Sequence, residues 1–75
     1  MASTMDLMER IERLYLTGLR ADTSLKIADR LGVDEDQALC ALIPLVMSGH
    51  LRVIEEGGLL IFLTPAYSRE LELAA

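Results

Sequence analysis

Ten consecutive residues in the middle of the chain, residues 38–47, carry no charged side chain. A helix at the surface of a globular protein has one apolar stripe, whereas a helix that is apolar all round is buried on every side. A chain of 75 residues has little protein with which to bury every side of one helix. The run therefore predicts either an unusual core or a helix surface that another molecule covers.

The size and composition predict one small domain spanning residues 1–75. A domain of this size is marginally stable alone, and oligomerisation is a common remedy. The single cysteine excludes an internal disulfide and indicates a reducing compartment, so we expect a cytoplasmic protein. The apolar run is too short to span a membrane, which takes about 20 residues.

Charge is distributed unevenly along the chain. Residues 1–33 contain five basic and five acidic side chains, whereas residues 34–75 contain two basic and seven acidic ones. All of the net charge of −5 therefore lies in the second half. Because phosphate binding depends on Lys and Arg displacing counterions, that half disfavours nucleic acid as a ligand.

Capping residues and apolar spacing predict three helices. The first runs from residue 3 or 4 to Gly18, and the second, shorter one from residue 23 or 24 to Gly32, with residues 19–22 as an extended link. Asp34 caps the third helix, which runs to about residue 48. Pro44 lacks an amide proton and crowds the preceding turn, so we expect a kink or local break there.

Beyond the third helix the apolar period changes from 3.6 to 2. Residues 51–55 and 59–63 are predicted strands, and Gly57-Gly58 between them is a strong two-residue hairpin signal. The second strand is apolar at every position, so we expect both of its faces to be covered. Pro65 then begins a short C-terminal helix.

This order of elements resembles the winged helix-turn-helix of MarR-like and PadR-like transcriptional regulators. The resemblance rests on Ile27 to Asp34, on Ala38, Leu42, Leu45 and Gly49 in the third helix and after it, and on Phe62 to Pro65 at the end of the hairpin, where the strand enters the C-terminal helix. It implies a mostly helical α+β fold of three helices, a β-hairpin wing and a short C-terminal helix. It also implies that the exposed early positions of the third helix read DNA in the major groove.

The chain departs from that family at the positions expected to meet DNA. No Lys or Arg occurs between Leu31 and Leu51, and the wing tip carries Glu55 and Glu56. Gln37 is the one good candidate for a base contact. Candidate phosphate contacts lie on the second helix and beside the wing, and the alternative is that they form a solvated face: Thr23, Ser24, Lys26, Arg30 and Arg52.

The third helix carries two apolar stripes at helical spacing. The inner stripe is the predicted core contact and comprises Ala38, Ala41, Leu42 and Leu45. The outer stripe, with Cys40 beside it, is a candidate partner-binding surface and comprises Leu39, Ile43, Val46 and Met47. The alternative is that the first helix, the wing and the C-terminal helix cover both sides. On the returning strand, Leu59, Ile61 and Leu63 form a similar apolar surplus.

Catalytic and metal-binding signals are weak. We expect Cys40 to be a buried or interface thiol and His50 to be an exposed turn residue, and one of each supplies too few ligands for a metal site. We therefore expect no enzyme, no cofactor and no small-molecule substrate. The sequence favours a non-catalytic module that binds a protein partner or a second copy of itself. The alternative is a DNA-binding regulator that docks through its second helix and wing.

Overall fold

A computed structural model describes residues 3–74, which form a small α+β fold of four helices and one three-stranded antiparallel sheet. The predicted domain includes residues 1, 2 and 75, which lie outside the described part. In chain order the elements are α1 (Thr4–Leu16), β1 (Ala21–Thr23), α2 (Ser24–Leu31), α3 (Glu35–Met47), β2 (Arg52–Glu56), β3 (Leu59–Leu63) and α4 (Pro65–Ala74). The predicted mostly helical α+β class is confirmed.

The predicted helix caps are present. The side chains of Ser3 and Thr23 each accept a hydrogen bond from the backbone N–H of the third residue of the helix that follows. Asp34 accepts from the Gln37 N–H at 2.8 Å, and the Gln37 side chain accepts in return from the Asp34 N–H at 3.4 Å. This reciprocal capping box fixes the start of α3. Gly32 ends α2 in the left-handed region, with φ of 72°.

The inner stripe of α3 forms the centre of the core, as predicted. Ala38, Ala41, Leu42 and Leu45 are all buried. They pack with buried side chains from both neighbouring helices and from the hairpin region: Leu7, Ile11, Ile27, Ala28, Leu31, Leu51 and Phe62. Burial of these apolar side chains is the main force that holds α3 against α1 and α2.

Of the predicted kink or local break at Pro44, the break is wrong, because α3 continues as one helix from Glu35 to Met47. Proline removes a single backbone hydrogen bond from the helix. Buried residues stand on both sides of it, Ala41 and Leu42 before and Leu45 after. Packing of these side chains against the core offsets the lost bond, so the helix continues into its last turn.

The predicted extended link before α2 includes a short strand. Residues Ala21–Thr23 pair antiparallel with β3, and Asp22 lies opposite Phe62. The sheet order is β1-β3-β2, so the hairpin strand β3 is central. Three residues are too few to show a period of two, and the strand forms because β3 offers it a partner edge.

The returning strand is covered along only part of its length, which corrects the expectation that both faces are buried. Phe62 and Leu63 are buried, whereas Leu59 and Leu60 near the hairpin turn are exposed. The last helix, α4, buries none of its residues 65–74. No element within residues 3–74 covers the part of the hairpin next to the Gly57-Gly58 turn. The apolar side chains of that part therefore stay in contact with water.

Candidate functional site

An apolar cleft lies between α3 and the β2-β3 hairpin. Its volume is about 340 Å³. Four side chains of α3 and three of the hairpin line it: Leu39, Ile43, Val46, Met47, Val53, Leu60 and Phe62. No polar or charged side chain is among these described lining residues, so the cleft can recognise a ligand only by shape and apolar contact.

The periods of the two elements place these side chains together. Leu39, Ile43 and Val46 follow one another at helical spacing and form a single row along α3. On the hairpin, Leu60 and Phe62 point to the same side of β3, and Val53 of β2 lies directly opposite Phe62. One side of the hairpin therefore faces the outer stripe of α3. Phe62 closes the bottom of the cleft, since it is buried.

The mouth of the cleft is open and apolar. Met47 is 82% exposed and Ile43 is 52% exposed, while Leu60 and Val53 of the hairpin are 41% and 40% exposed. Full burial of such a side chain is worth about 1.5–3 kcal/mol relative to leaving it in water. A partner that covers the cleft would therefore gain its binding energy mainly from apolar contact.

The structure brings together four of the five predicted partner-binding residues, Leu39, Ile43, Val46 and Met47, but leaves Cys40 outside the cleft lining. Cys40 is exposed, so the expectation of a buried thiol is wrong, and its place in an interface stays a prediction. The alternative that neighbouring elements cover both sides of α3 is also wrong, because Ile43 and Met47 remain exposed.

The predicted apolar surplus on β3 lies on the face of the strand opposite the cleft. Leu59, Ile61 and Leu63 point away from the cleft, and Leu63 is buried rather than in surplus.

The hairpin residues that line the cleft, Val53, Leu60 and Phe62, were not predicted to do so from the sequence. Alternation cannot assign a face to a strand that is apolar throughout. A usable signal was the two-residue turn at Gly57-Gly58, because it sets the register that places Val53 opposite Phe62.

The candidate phosphate contacts near the start of α2 are largely occupied by other groups. The Ser24 hydroxyl is buried and donates to the Glu35 carboxylate at 2.7 Å, so it is not free to donate to a phosphate. The carboxylate also adds negative charge at the helix N-terminus where a phosphate would sit. Thr23 accepts from the Lys26 N–H as the helix cap. The Ser24 hydroxyl is therefore occupied by Glu35, and its role in phosphate contact stays a prediction.

The remaining predicted nucleic-acid contacts are spread over separate elements. The Arg30 side chain donates from Nε to the Asp22 carboxylate at 3.0 Å, which neutralises part of its charge. Lys26 and Arg52 are exposed, and Gln37 is exposed while its side chain takes part in the α3 capping box. Their roles in binding nucleic acid stay predictions.

A second surface feature, missed from the sequence, is a shallow cleft between α1 and α2. Three arginines line it, Arg10, Arg13 and Arg30, together with Leu14, Thr17 and Leu31. Arg10 donates from Nη2 to the Leu31 carbonyl at 3.1 Å and so ties the two helices together. The three arginines place positive charge together at this cleft, although residues 1–33 as a whole have no net charge.

Tyr15 of α1 contacts the buried part of β3, and its ionisation is suppressed. The Tyr15 hydroxyl donates to the Phe62 carbonyl at 2.6 Å and links α1 to β3. Burial raises the pKa of Tyr15 well above its ordinary value, and the nearby Asp22 carboxylate raises it further. Tyr15 is therefore a neutral structural donor at physiological pH.

No protein-family model matches the chain, and comparisons with curated proteins and with solved structures found no significant match. Within residues 3–74, no group of three or more His, Cys, Asp or Glu side chains is placed to hold a metal ion. None of the helices in this same part of the chain is long and apolar enough to cross a membrane.

Proposed function

We propose that the chain is a winged helix-turn-helix domain that acts as a non-catalytic protein-binding module through the cleft between α3 and the hairpin. The observation that carries the proposal is the open, entirely apolar lining of that cleft. The order α1-β1-α2-α3-β2-β3-α4 supports the fold. In this interpretation α3 occupies the place of a recognition helix and the hairpin that of the wing.

The chemistry of α3 favours a protein over DNA as its ligand. A helix that reads DNA presents hydrogen-bonding and basic groups to base edges and phosphates. Here the first turn of α3 carries Glu35 and Asp36, and its outer stripe is apolar. The described lining residues also include no nucleophile, acid or base, which supports a role in binding and not in catalysis. An apolar segment of a partner protein fits this lining.

Two matched glutamate substitutions test the proposal. Ile43 lies in the cleft and is 52% exposed, while Leu25 lies on α2, outside the cleft lining, and is 53% exposed. A charge at Ile43 must be desolvated when a partner covers the cleft, whereas a charge at Leu25 stays in water. We expect Ile43→Glu to lose a stoichiometric partner that both wild type and Leu25→Glu capture from extracts of the source organism.

The captured partner is then purified and titrated into labelled protein, where the largest amide shifts are expected in α3 and the hairpin. A parallel titration uses a generic DNA duplex at low salt, with Lys26→Gln as the variant that weakens phosphate contact. Equal capture by both glutamate variants contradicts the proposal. Saturable duplex binding that depends on salt and on Lys26 would instead establish the DNA-binding regulator.

A further inference from the structure

Strand β2 is an open edge of the sheet. Within residues 3–74, the order β1-β3-β2 leaves one side of β2 without a neighbouring strand, and all five of its residues are exposed. Two of them, Val53 and Ile54, are large and apolar, at 40% and 38% exposure. An exposed edge strand is a template for pairing with another strand, and proteins commonly protect it with charged side chains, proline, a bulge or a covering loop. The charged residues of β2 are Arg52, Glu55 and Glu56, which are of both signs and so can pair with a complementary edge. None of residues 52–56 is proline.

The hairpin register determines which backbone groups of β2 are free. Gly57 and Gly58 have φ of 60° and 81°, as in the two-residue turn that closes on a hydrogen-bonded pair, here Glu56 and Leu59. Hydrogen-bonded and non-hydrogen-bonded pairs alternate along an antiparallel ladder. The N–H and C=O groups of Val53 and Glu55 therefore point away from β3, toward the open edge.

These groups are self-complementary in an antiparallel register centred on Ile54. When Ile54 lies opposite Ile54 of a second copy, Val53 of each copy lies opposite Glu55 of the other. Each of these two Val53–Glu55 pairs exchanges two backbone hydrogen bonds. The same register places Arg52 opposite Glu56 of the second copy, in a non-hydrogen-bonded pair where side chains lie closest. Pairing centred one residue nearer the turn instead puts Glu55 opposite Glu55, where like charges repel.

We infer that the chain forms a homodimer by antiparallel pairing of β2 with β2 of a second copy, in the register centred on Ile54. Four backbone hydrogen bonds and two Arg52–Glu56 pairs join the copies, and the two sheets merge into one of six strands. The two-fold axis is perpendicular to the sheet, so both apolar clefts open on the same side of it. The contact uses the backbone edge of β2, so the inference is independent of what occupies the cleft.

The first test measures solution mass against protein concentration by analytical ultracentrifugation. We expect wild type to approach twice the 8.3 kDa of one chain as concentration rises. Glu55→Pro removes an N–H that faces the open edge and takes no part in pairing with β3, so the hairpin is expected to stay folded. The variant removes two of the four intermolecular hydrogen bonds, and the dimer is expected to be lost at concentrations where wild type is dimeric.

A charge swap tests the register without touching the backbone. Arg52→Glu places like charges opposite Glu56 of the other copy at two symmetric positions, and we expect the dissociation constant to rise on the order of tenfold. The double variant Arg52→Glu with Glu56→Arg restores opposite charges and is expected to return the dissociation constant to near wild type. Arg69→Glu on α4 is the control, because it makes the same change in net charge away from β2.

Three results would overturn the inference: a monomeric mass at millimolar concentration, a double variant as weak as Arg52→Glu alone, or a dimer that survives Glu55→Pro but not Ile43→Glu. The third result would assign self-association to the cleft and so would leave the proposed protein-binding role intact. Conversely, a dimer that depends on β2 in a protein that captures no partner through the cleft would support this inference and contradict the proposed function.

Discussion

Two adjacent residues of α3 provide a direct test of the difference between its inner and outer stripes. Leu42 is fully buried in the core, whereas Ile43 is about half exposed at the mouth of the cleft. We expect Leu42→Ala to destabilise the domain by about 3 kcal/mol, because a fully buried leucine loses its transfer free energy and leaves a cavity. Ile43→Ala should cost about 1 kcal/mol, since its side chain is half in water and its removal opens no enclosed cavity.

The difference is large relative to the stability of so small a domain. A change of about 1 kcal/mol shifts the melting temperature of a domain of roughly 60–100 residues by about 4–8 °C, so Leu42→Ala should melt about 12–24 °C below wild type. Urea denaturation of both variants, at a concentration where the chain is monomeric, gives the free energies of unfolding. Leu42→Ala should lower the midpoint strongly and Ile43→Ala slightly, with the same slope m.

A loss of about 3 kcal/mol in Ile43→Ala as well would refute this reasoning. It would mean that the outer stripe is packed as tightly as the inner one and that the cleft is closed in solution. The proposed binding role would then lose its surface.

Three further perturbations test how the elements are fixed. Asp34→Ala removes the capping box of α3 and should cost about 1 kcal/mol of unfolding free energy, measured by urea denaturation. Gly32→Ala should cost about 1 kcal/mol in the same assay, since the added Cβ meets no atom within 4 Å and the cost is that of the left-handed backbone. Tyr15→Phe removes the hydrogen bond to the Phe62 carbonyl and should cost about 1 kcal/mol at neutral pH. Because the folded state keeps Tyr15 protonated above its ordinary pKa of 10.0, wild-type stability should fall as pH rises above about 10, and Tyr15→Phe should lose that part of the dependence.

The parts of the fold that depend on local chemistry could be predicted from the sequence. Asp34 followed by Gln37 three residues later specifies the start of α3, and Gly32 specifies the end of α2. The inner stripe of α3 follows from apolar spacing alone. The Gly57-Gly58 pair predicts the hairpin because both residues adopt positive φ. Each of these features is determined within a few residues of chain.

The parts that depend on distant contacts could not be predicted. The strand at residues 21–23 exists because residues 61–63 of β3, far along the chain, lie beside it. Whether Leu60 or Ile61 faces α3 depends on the hairpin register and on which side of the sheet the helix packs. Because every residue of β3 is apolar, its sequence does not indicate which face is buried. Pro44 is tolerated because tertiary packing holds both halves of α3, which local propensity does not include.

Val53 shows why the cleft and the β2 edge can act independently although they adjoin. Its side chain lines the cleft, while its backbone N–H and C=O point toward the open edge, because side chains stand perpendicular to a sheet and backbone hydrogen bonds lie within it. A charge at Ile43 therefore acts on contacts perpendicular to the sheet, and a proline at Glu55 acts on contacts within its plane. If one surface served both contacts, either substitution would abolish both. The geometry of β2 instead predicts that Ile43→Glu lowers partner capture at an unchanged dimer dissociation constant, and that Glu55→Pro weakens the dimer while each monomer still binds its partner.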